Sequence, residues 1–244
     1  MGLSRNNNGA FKENEGVLPD VKSEDFAEFY GIMLGDGCLY SNGNGLNISS
    51  DALLDKEYIT VYVPQLINRL FRITPKIYPS YGTQGRVTRC IIYNRKIVKF
   101  MYKCGFPLGN KKAARITIPE YFFSNPKLLK RCLKGMHDTD GSVCPHPNAK
   151  IMTDLTIKIP SLLESAVEGF IALGMKFSHS KKAIFFYGAD NVKNYFDKIG
   201  SSNEKHIIKF DVFTLTGHVP RSKEMERFLR DYYDGKVVEF EPVA

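Results

Sequence analysis

"FYGIMLGDG" (residues 29–37) and "LKGMHDTDG" (residues 133–141) share one pattern: a largely apolar helical stretch that stops at Asp-Gly. Each places a carboxylate, Asp36 or Asp140, at a helix C-terminus. The macrodipole is already negative there, and an acid at that end costs a few tenths of a kcal/mol to about 1 kcal/mol. One such acid is ordinary turn chemistry. Two, each with a glycine five residues upstream (Gly31 and Gly135), call for a shared reason.

The flanking sequence repeats as well. Ser23 is a helix N-cap followed by Glu24 and Asp25, and Phe26, Phe29, Tyr30 and Met33 recur at helical spacing up to Gly37, read as a left-handed C-cap. A hairpin follows ("CLYSNG", "GLNISS"), then a helix through "DALLDKEYITVYVPQLINRLF" with a kink expected at Pro64. A second hairpin ("KIYPSYG", "GRVTRCIIYN") and the helix "RKIVKFMYKCG" complete an αββαββα unit. From Asn125 and Pro126 the order returns: acid-tipped helix, hairpin "SVCPHPNA"/"KIMTDLTIKIP", helix "SLLESAVEGFIALG", hairpin "MKFSHS"/"KKAIFFYG", helix "ADNVKNYFDKIG". Leu46 and Ile48 correspond to Leu155 and Ile157, and Leu53-Leu54 to Leu162-Leu163. The expected fold is α+β, two pseudo-symmetric αββαββα repeats with the motif helices packed at their interface. The expected organisation is a flexible arm (1–22), a first repeat (23–113), a linker (114–124), a second repeat (125–210) and a tail with a helix (211–244).

Composition narrows the function. Of 244 residues, 43% are hydrophobic and 12% aromatic, enough for a sizeable core, and no run approaches the 18 apolar residues of a membrane span. The polar N-terminus lacks the apolar centre of a signal peptide, and Asn6 stands where a myristoylation motif has Ser or Thr, so an intracellular, membrane-free protein is expected. Five scattered cysteines without a CxxC pair indicate reduced thiols rather than a disulfide or zinc framework. The net charge of +8 favours a polyanionic partner.

Gly31 and Gly35 on the first motif helix, with Gly135 and Thr139 on the second, form small-residue ridges that let two helices approach closely. Such packing sets Asp36 beside Asp140. Two carboxylates and two helix C-termini need a cation, and Mg²⁺ suits oxygen ligands while retaining waters. A pair of such ions clamps the attacking and leaving oxygens of a phosphodiester.

On these residues the sequence resembles the LAGLIDADG homing endonuclease family, over roughly residues 23–210. The second copy is the closer, since Asp138 keeps an acid that Leu34 replaces in the first. The resemblance implies a monomer acting as a pseudo-dimer, whose repeats form a saddle of antiparallel sheet in the major groove of double-stranded DNA. It implies cleavage of both strands with short 3′ overhangs. Asp36 and Asp140 are the implied metal ligands, with the backbone carbonyls of Gly35 and Thr139. Two or three Mg²⁺ ions are implied, Mn²⁺ substituting and Ca²⁺ supporting binding without cleavage. Basic residues after each repeat are implied to assist: "GNKK" (109–112) and "SNEK" (202–205) align Asn110 with Asn203 and Lys112 with Lys205, with Lys111 a competitor for Lys112. Absence of splicing residues at "MGLSR" and "EPVA" points to a free-standing, intron-encoded protein rather than an intein. The rival functions are an RNA maturase, which binds intron RNA, and a non-catalytic DNA-binding regulator.

Alternation assigns the groove-facing residues. Leu46, Ile48, Leu155 and Ile157 point inward, leaving Asn47, Ser49, Thr156 and Lys158 outward. Arg86, Thr88 and Arg89, with Lys181 and Lys182 in the matching hairpin, are candidates for base or phosphate contact; alternation does not decide between Arg86 and Arg89. Tyr40 and Asn42 are additional candidates.

Overall fold

The computed structural model describes residues 16–80 and 86–236, so most of the expected N-terminal arm and the end of the tail lie outside the described residues. The elements run α1 (Glu24–Gly35), β1 (Gly37–Leu39), β2 (Leu46–Asp51), a π-helical turn (Tyr58–Tyr62), α2 (Val63–Phe71), β3 (Lys76–Ser80), β4 (Val87–Ile92) and α3 (Arg95–Lys103). After the short helix α4 (Glu120–Phe123) come α5 (Pro126–Asp140), β5 (Gly141–His146), β6 (Lys150–Thr156), α6 (Pro160–Ala172), β7 (Ser178–His179), β8 (Ala183–Tyr187) and α7 (Ala189–Lys198). Helices α8 (Glu204–Thr216) and α9 (Ser222–Tyr233) follow.

The strands form two four-stranded antiparallel sheets with the same topology, β1-β2-β4-β3 and β5-β6-β8-β7. The repeat in the sequence is therefore a repeat in space. Each sheet lays its apolar face on helices, and a single core runs from Phe26 and Phe29 of α1 through Leu133 and Met136 of α5 to Phe170 of α6 and Tyr195 of α7. Among the described residues no helix is long and apolar enough to cross a membrane.

Helices α1 and α5 cross at the centre in backbone contact. A Cβ on Gly31 would sit 2.0 Å from the Cys132 carbonyl oxygen, and one on Gly135 2.3 Å from that of Glu28. A Cβ on Gly35 would meet Thr139 Oγ1 at 2.0 Å. Beside this crossing Glu28, 1% exposed, accepts from Arg131, Lys134 and Ser202, at 3.0, 3.0 and 3.3 Å, and from Tyr62.

Several expectations change. Gly37 is not a left-handed cap: Asp36 ends α1 at φ −92°, and Gly37 opens β1 where a Cβ would lie 2.5 Å from Met33. Ahead of Pro64 the helix contains a π-helical turn, in which the Val63 N–H bonds five residues back to Tyr58, and Pro64 itself has no N–H to continue the ladder. The 114–124 connection contains α4, which buries Phe122. Helix α8 crosses position 210, the expected end of the second repeat, because the Asn203 side chain starts it by accepting from the Lys205 N–H.

Candidate active site

Helix α1 ends in Asp36, and α5 ends in Asp140, beside Gly35: a Cβ there would be 3.3 Å from Asp140 Oδ2. The helix crossing thus brings the two acids together, as the glycine ridges imply. Burial, then the Asp140 and Asp55 carboxylates, push Asp36 up to about 7, against the pull of Lys111 and Lys205. Asp140 is also raised by burial, opposed by Lys111 and Lys158.

The two lysines reach this place by different routes. Lys111 donates to the carbonyls of Met33 (3.1 Å), Leu34 (2.8 Å) and Gly35, capping the negative end of α1. Burial lowers its proton affinity while the two acids raise it. Lys112 is the correction. Its N–H bonds the Asn110 side chain at 2.9 Å, as Lys205 N–H bonds Asn203 at 3.1 Å, so the loops do correspond. The side chain of Lys112 is nevertheless exposed, and the turn delivers Lys111 to the acids instead. Lys205 lies close enough to lower the pKa of Asp36 and is ion-paired with Asp55 at 2.7 Å.

Asp55 was not among the residues singled out by sequence. It is 7% exposed and accepts from Ser50 Oγ (2.7 Å), the Asp51 N–H (3.2 Å) and Asn203 Nδ2 (2.7 Å). Asn203 also donates to the Asp138 carbonyl at 2.9 Å, so a buried amide ties the first half of the chain to the second beside the acids. A signal was available: the register Leu53-Leu54 with Leu162-Leu163 pairs Asp55 with another acid, Glu164.

A cation fits here on two grounds. The Asp140 and Asp55 carboxylates oppose the ionisation of Asp36, and the carbonyl cluster that ends α1 already gathers an ammonium.

No family model matches the chain. The solved structure titled "the homing endonuclease I-WcaI bound to its DNA recognition sequence" is 16% identical, covers 86% of this chain and 95% of its own, and superposes at a TM-score of 0.55. This is the LAGLIDADG fold. The N-terminal LAGLIDADG domain of DUF199/WhiA is 11% identical over 74% of this chain and 84% of its own, at a TM-score of 0.49. In sequence, an A-type ATP synthase subunit from Pyrococcus abyssi is 32% identical over 126 residues, 51% of this chain. The match spans only 11% of that relative's length.

On the LAGLIDADG sheets, the outward face is now fixed by register. Arg89 is exposed and lies between Ser49 and Tyr78, while Asn47 donates to Ser49 at 2.8 Å. Two expected contacts are corrected. Thr88 is 2% exposed because it alternates with Cys90 and Ile92 on the core face. Arg86 is held by Asp51 (2.9 Å) and by Glu226 of α9 (3.0 Å), which leaves Arg89 as the guanidinium of this hairpin turned to solvent. Tyr40 is half-buried 6.4 Å from Tyr93, and Asn42 is exposed in the turn, accepting from Asn44 N–H. Thr156, Lys158, Lys181 and Lys182 are exposed, as alternation and turn position require. The aromatic stack of Phe185 and Tyr187 (5.7 Å, 17°), on the outward face with His146, went unread because polarity, not aromaticity, guided the assignment.

Proposed function

We propose that the protein is a divalent-metal-dependent, site-specific endonuclease that cuts both strands of duplex DNA and leaves short 3′ overhangs. The carrying observation is the placement of Asp36 and Asp140 side by side by two glycine-faced helices in backbone contact. Burial and the neighbouring Asp140 and Asp55 carboxylates work against an ionised Asp36 at that spot, a cost that a bound cation offsets.

In this reading Asp36 and Asp140, with the Gly35 and Thr139 carbonyls, hold Mg²⁺ or Mn²⁺, and the bound ions would supply an activated water and charge stabilisation at the phosphate. Ca²⁺ supports binding alone. Lys111, held as an ammonium on the carbonyls that end α1, offsets negative charge beside the two acids and the phosphate. Lys205, steadied by Asp55, faces the developing phosphate charge. The sheets enter the major groove, where Asn47, Ser49 and Arg89 read bases in one half, Thr156 in the other, and Lys158, Lys181 and Lys182 contact phosphates. The chain acts as a monomer, its two repeats serving as half-sites.

The test is selection from a randomised duplex library in Mg²⁺ and separately in Ca²⁺. A discrete staggered cut in Mg²⁺, with binding only in Ca²⁺, supports the reading. Duplex bound but uncut in Mg²⁺ replaces it with a DNA-binding regulator. Preference for structured intron RNA over duplex replaces it with a maturase.

A further inference from the structure

Beneath the acid-bearing end of α5 lies a second group of metal-ligand side chains, closed off from solvent. His137 and Asp138 of α5 and His206 of α8 are 0%, 1% and 0% exposed, and their ligand atoms lie within 4.8 Å of one another. The two imidazoles stand 4.7 Å apart at 59°. His206 Nδ1 is 4.0 Å from Asp138 Oδ1, too far for a hydrogen bond.

The hydrogen bonds fix which nitrogen is free. Thr153 gives its only hydroxyl proton to the Ser142 carbonyl at 2.8 Å. Its 2.7 Å contact with His137 Nε2 therefore has the ring N–H donating to the hydroxyl. His137 Nδ1 is left with a lone pair and no partner among the described residues. Neither nitrogen of His206 has one, although the ring faces the Gly141 carbonyl. An imidazole whose far N–H is anchored to an oxygen, with the near lone pair bare, has the orientation of a metal-bound histidine. Asp138 is steadied in the same way, by the Ser201 hydroxyl and by the Ser202 N–H at 2.9 Å.

We propose that His137 Nδ1, a nitrogen of His206 and the Asp138 carboxylate form a structural site for a borderline transition-metal ion such as Zn²⁺, separate from the Asp36–Asp140 pair. Two imidazoles and one carboxylate match zinc better than magnesium. Bonds of about 2.0–2.1 Å require the ligand atoms to draw in by about 1 Å, which ring rotation on α8 supplies. The neighbouring cations are already engaged: Lys205 by Asp55 at 2.7 Å and Lys209 by the Val143 carbonyl at 2.9 Å. The ion would pin α8 to α5 and so hold Asn203 and Lys205 beside the acids. The site does not depend on the protein being a nuclease.

The test is a Co²⁺ titration of chelator-treated Asp36→Asn/Asp140→Asn protein, in which the acid pair is silenced. The expected result is one equivalent of Co²⁺ with the visible bands of a low-coordinate cobalt–imidazole site, displaced by Zn²⁺, and a thermal midpoint raised by Zn²⁺. His206→Gln on that background abolishes the bands. Should that variant not fold, Thr153→Val, which removes only the anchoring oxygen, weakens Co²⁺ binding about 10–100-fold. Absence of bands in the parent, or bands that survive His206→Gln or retain full affinity in Thr153→Val, overturns the site.

Discussion

At the scale of single residues, the two acids and the flanking lysines carry separate predictions. Asp36→Asn and Asp140→Asn each remove one carboxylate while keeping its shape. Double-strand cutting falls by several kcal/mol, roughly a thousandfold, while Ca²⁺-supported DNA binding is largely retained, as read by cleavage and gel-shift assays. Unchanged cutting by either variant removes that acid from the chemistry. Lys111→Met slows cleavage, whereas Lys112→Met leaves it within about twofold, since one ammonium caps α1 and the other faces solvent. The acids were legible in the sequence because their placement recurs against local preference. The lysine was not: two adjacent lysines leave a turn in different directions, and only the backbone geometry after Asn110 settles which one turns inward.

Asp36 also gives a pH signature. Its pKa is pushed up to about 7 in the fold, against an unfolded value of 3.8. Between those values the metal-free native state holds a proton on Asp36 that the unfolded chain has released, so the contribution of this group to stability falls as pH rises from roughly 4 to 7. The buried imidazoles of His137 and His206, held below their ordinary value, act in the opposite direction over an overlapping window. The Asp36 share is therefore read as the difference between parent and Asp36→Asn thermal midpoints in metal-free protein. Asp36→Asn removes this share of the slope, and Ca²⁺ removes it similarly in the parent. Asp138, pushed up to about 7 by burial, adds a contribution of the same sign as Asp36 in both. An identical slope in Asp36→Asn and parent contradicts the assignment.

At the scale of elements, most of the fold was readable because each helix and hairpin carries its own period and punctuation. What escaped was tertiary. The run around Thr88 alternates poorly since Ile91, on the outward side, is itself 6% exposed, which hides the inward row of Thr88, Cys90 and Ile92. The α1–α5 crossing is where elements meet most closely, and it yields a sharp contrast. Gly31→Ala and Gly135→Ala drive a Cβ into backbone carbonyls at 2.0 and 2.3 Å, obstacles that cannot rotate away. Each destabilises by about 3 kcal/mol or more, the upper end of overpacking costs. Gly169→Ala on α6 meets leucine methyls at 3.3, 3.4 and 3.7 Å, side-chain ends that can give way, and is near neutral, helped by alanine's better helix propensity. Urea midpoints measured on the three variants test the difference, and equal effects would mean that the helix pair is not in backbone contact.

Across the whole molecule the two repeats share topology but not their charged partners. Lys111 rests on three carbonyls of its own repeat's motif helix, while Lys205 is paired with Asp55 from the other repeat. Glu164, the acid that corresponds to Asp55, is exposed and takes no such part. Helix α9 breaks the symmetry again, since Glu226 binds Arg86 in the first half. Under the nuclease reading, one two-fold site therefore contains two unlike halves, and a double-strand break is the sum of two nicks made in different surroundings. Lys111→Met and Lys205→Met should each slow chiefly one strand. On a supercoiled plasmid carrying the target, each variant accumulates nicked circle, and the strand left intact differs between them. Asp55→Asn follows Lys205→Met, because its effect passes through that ammonium, and the double variant is no slower than Lys205→Met alone. If both strands slow equally in every variant, the lysines serve a common step and the asymmetry has no chemical consequence.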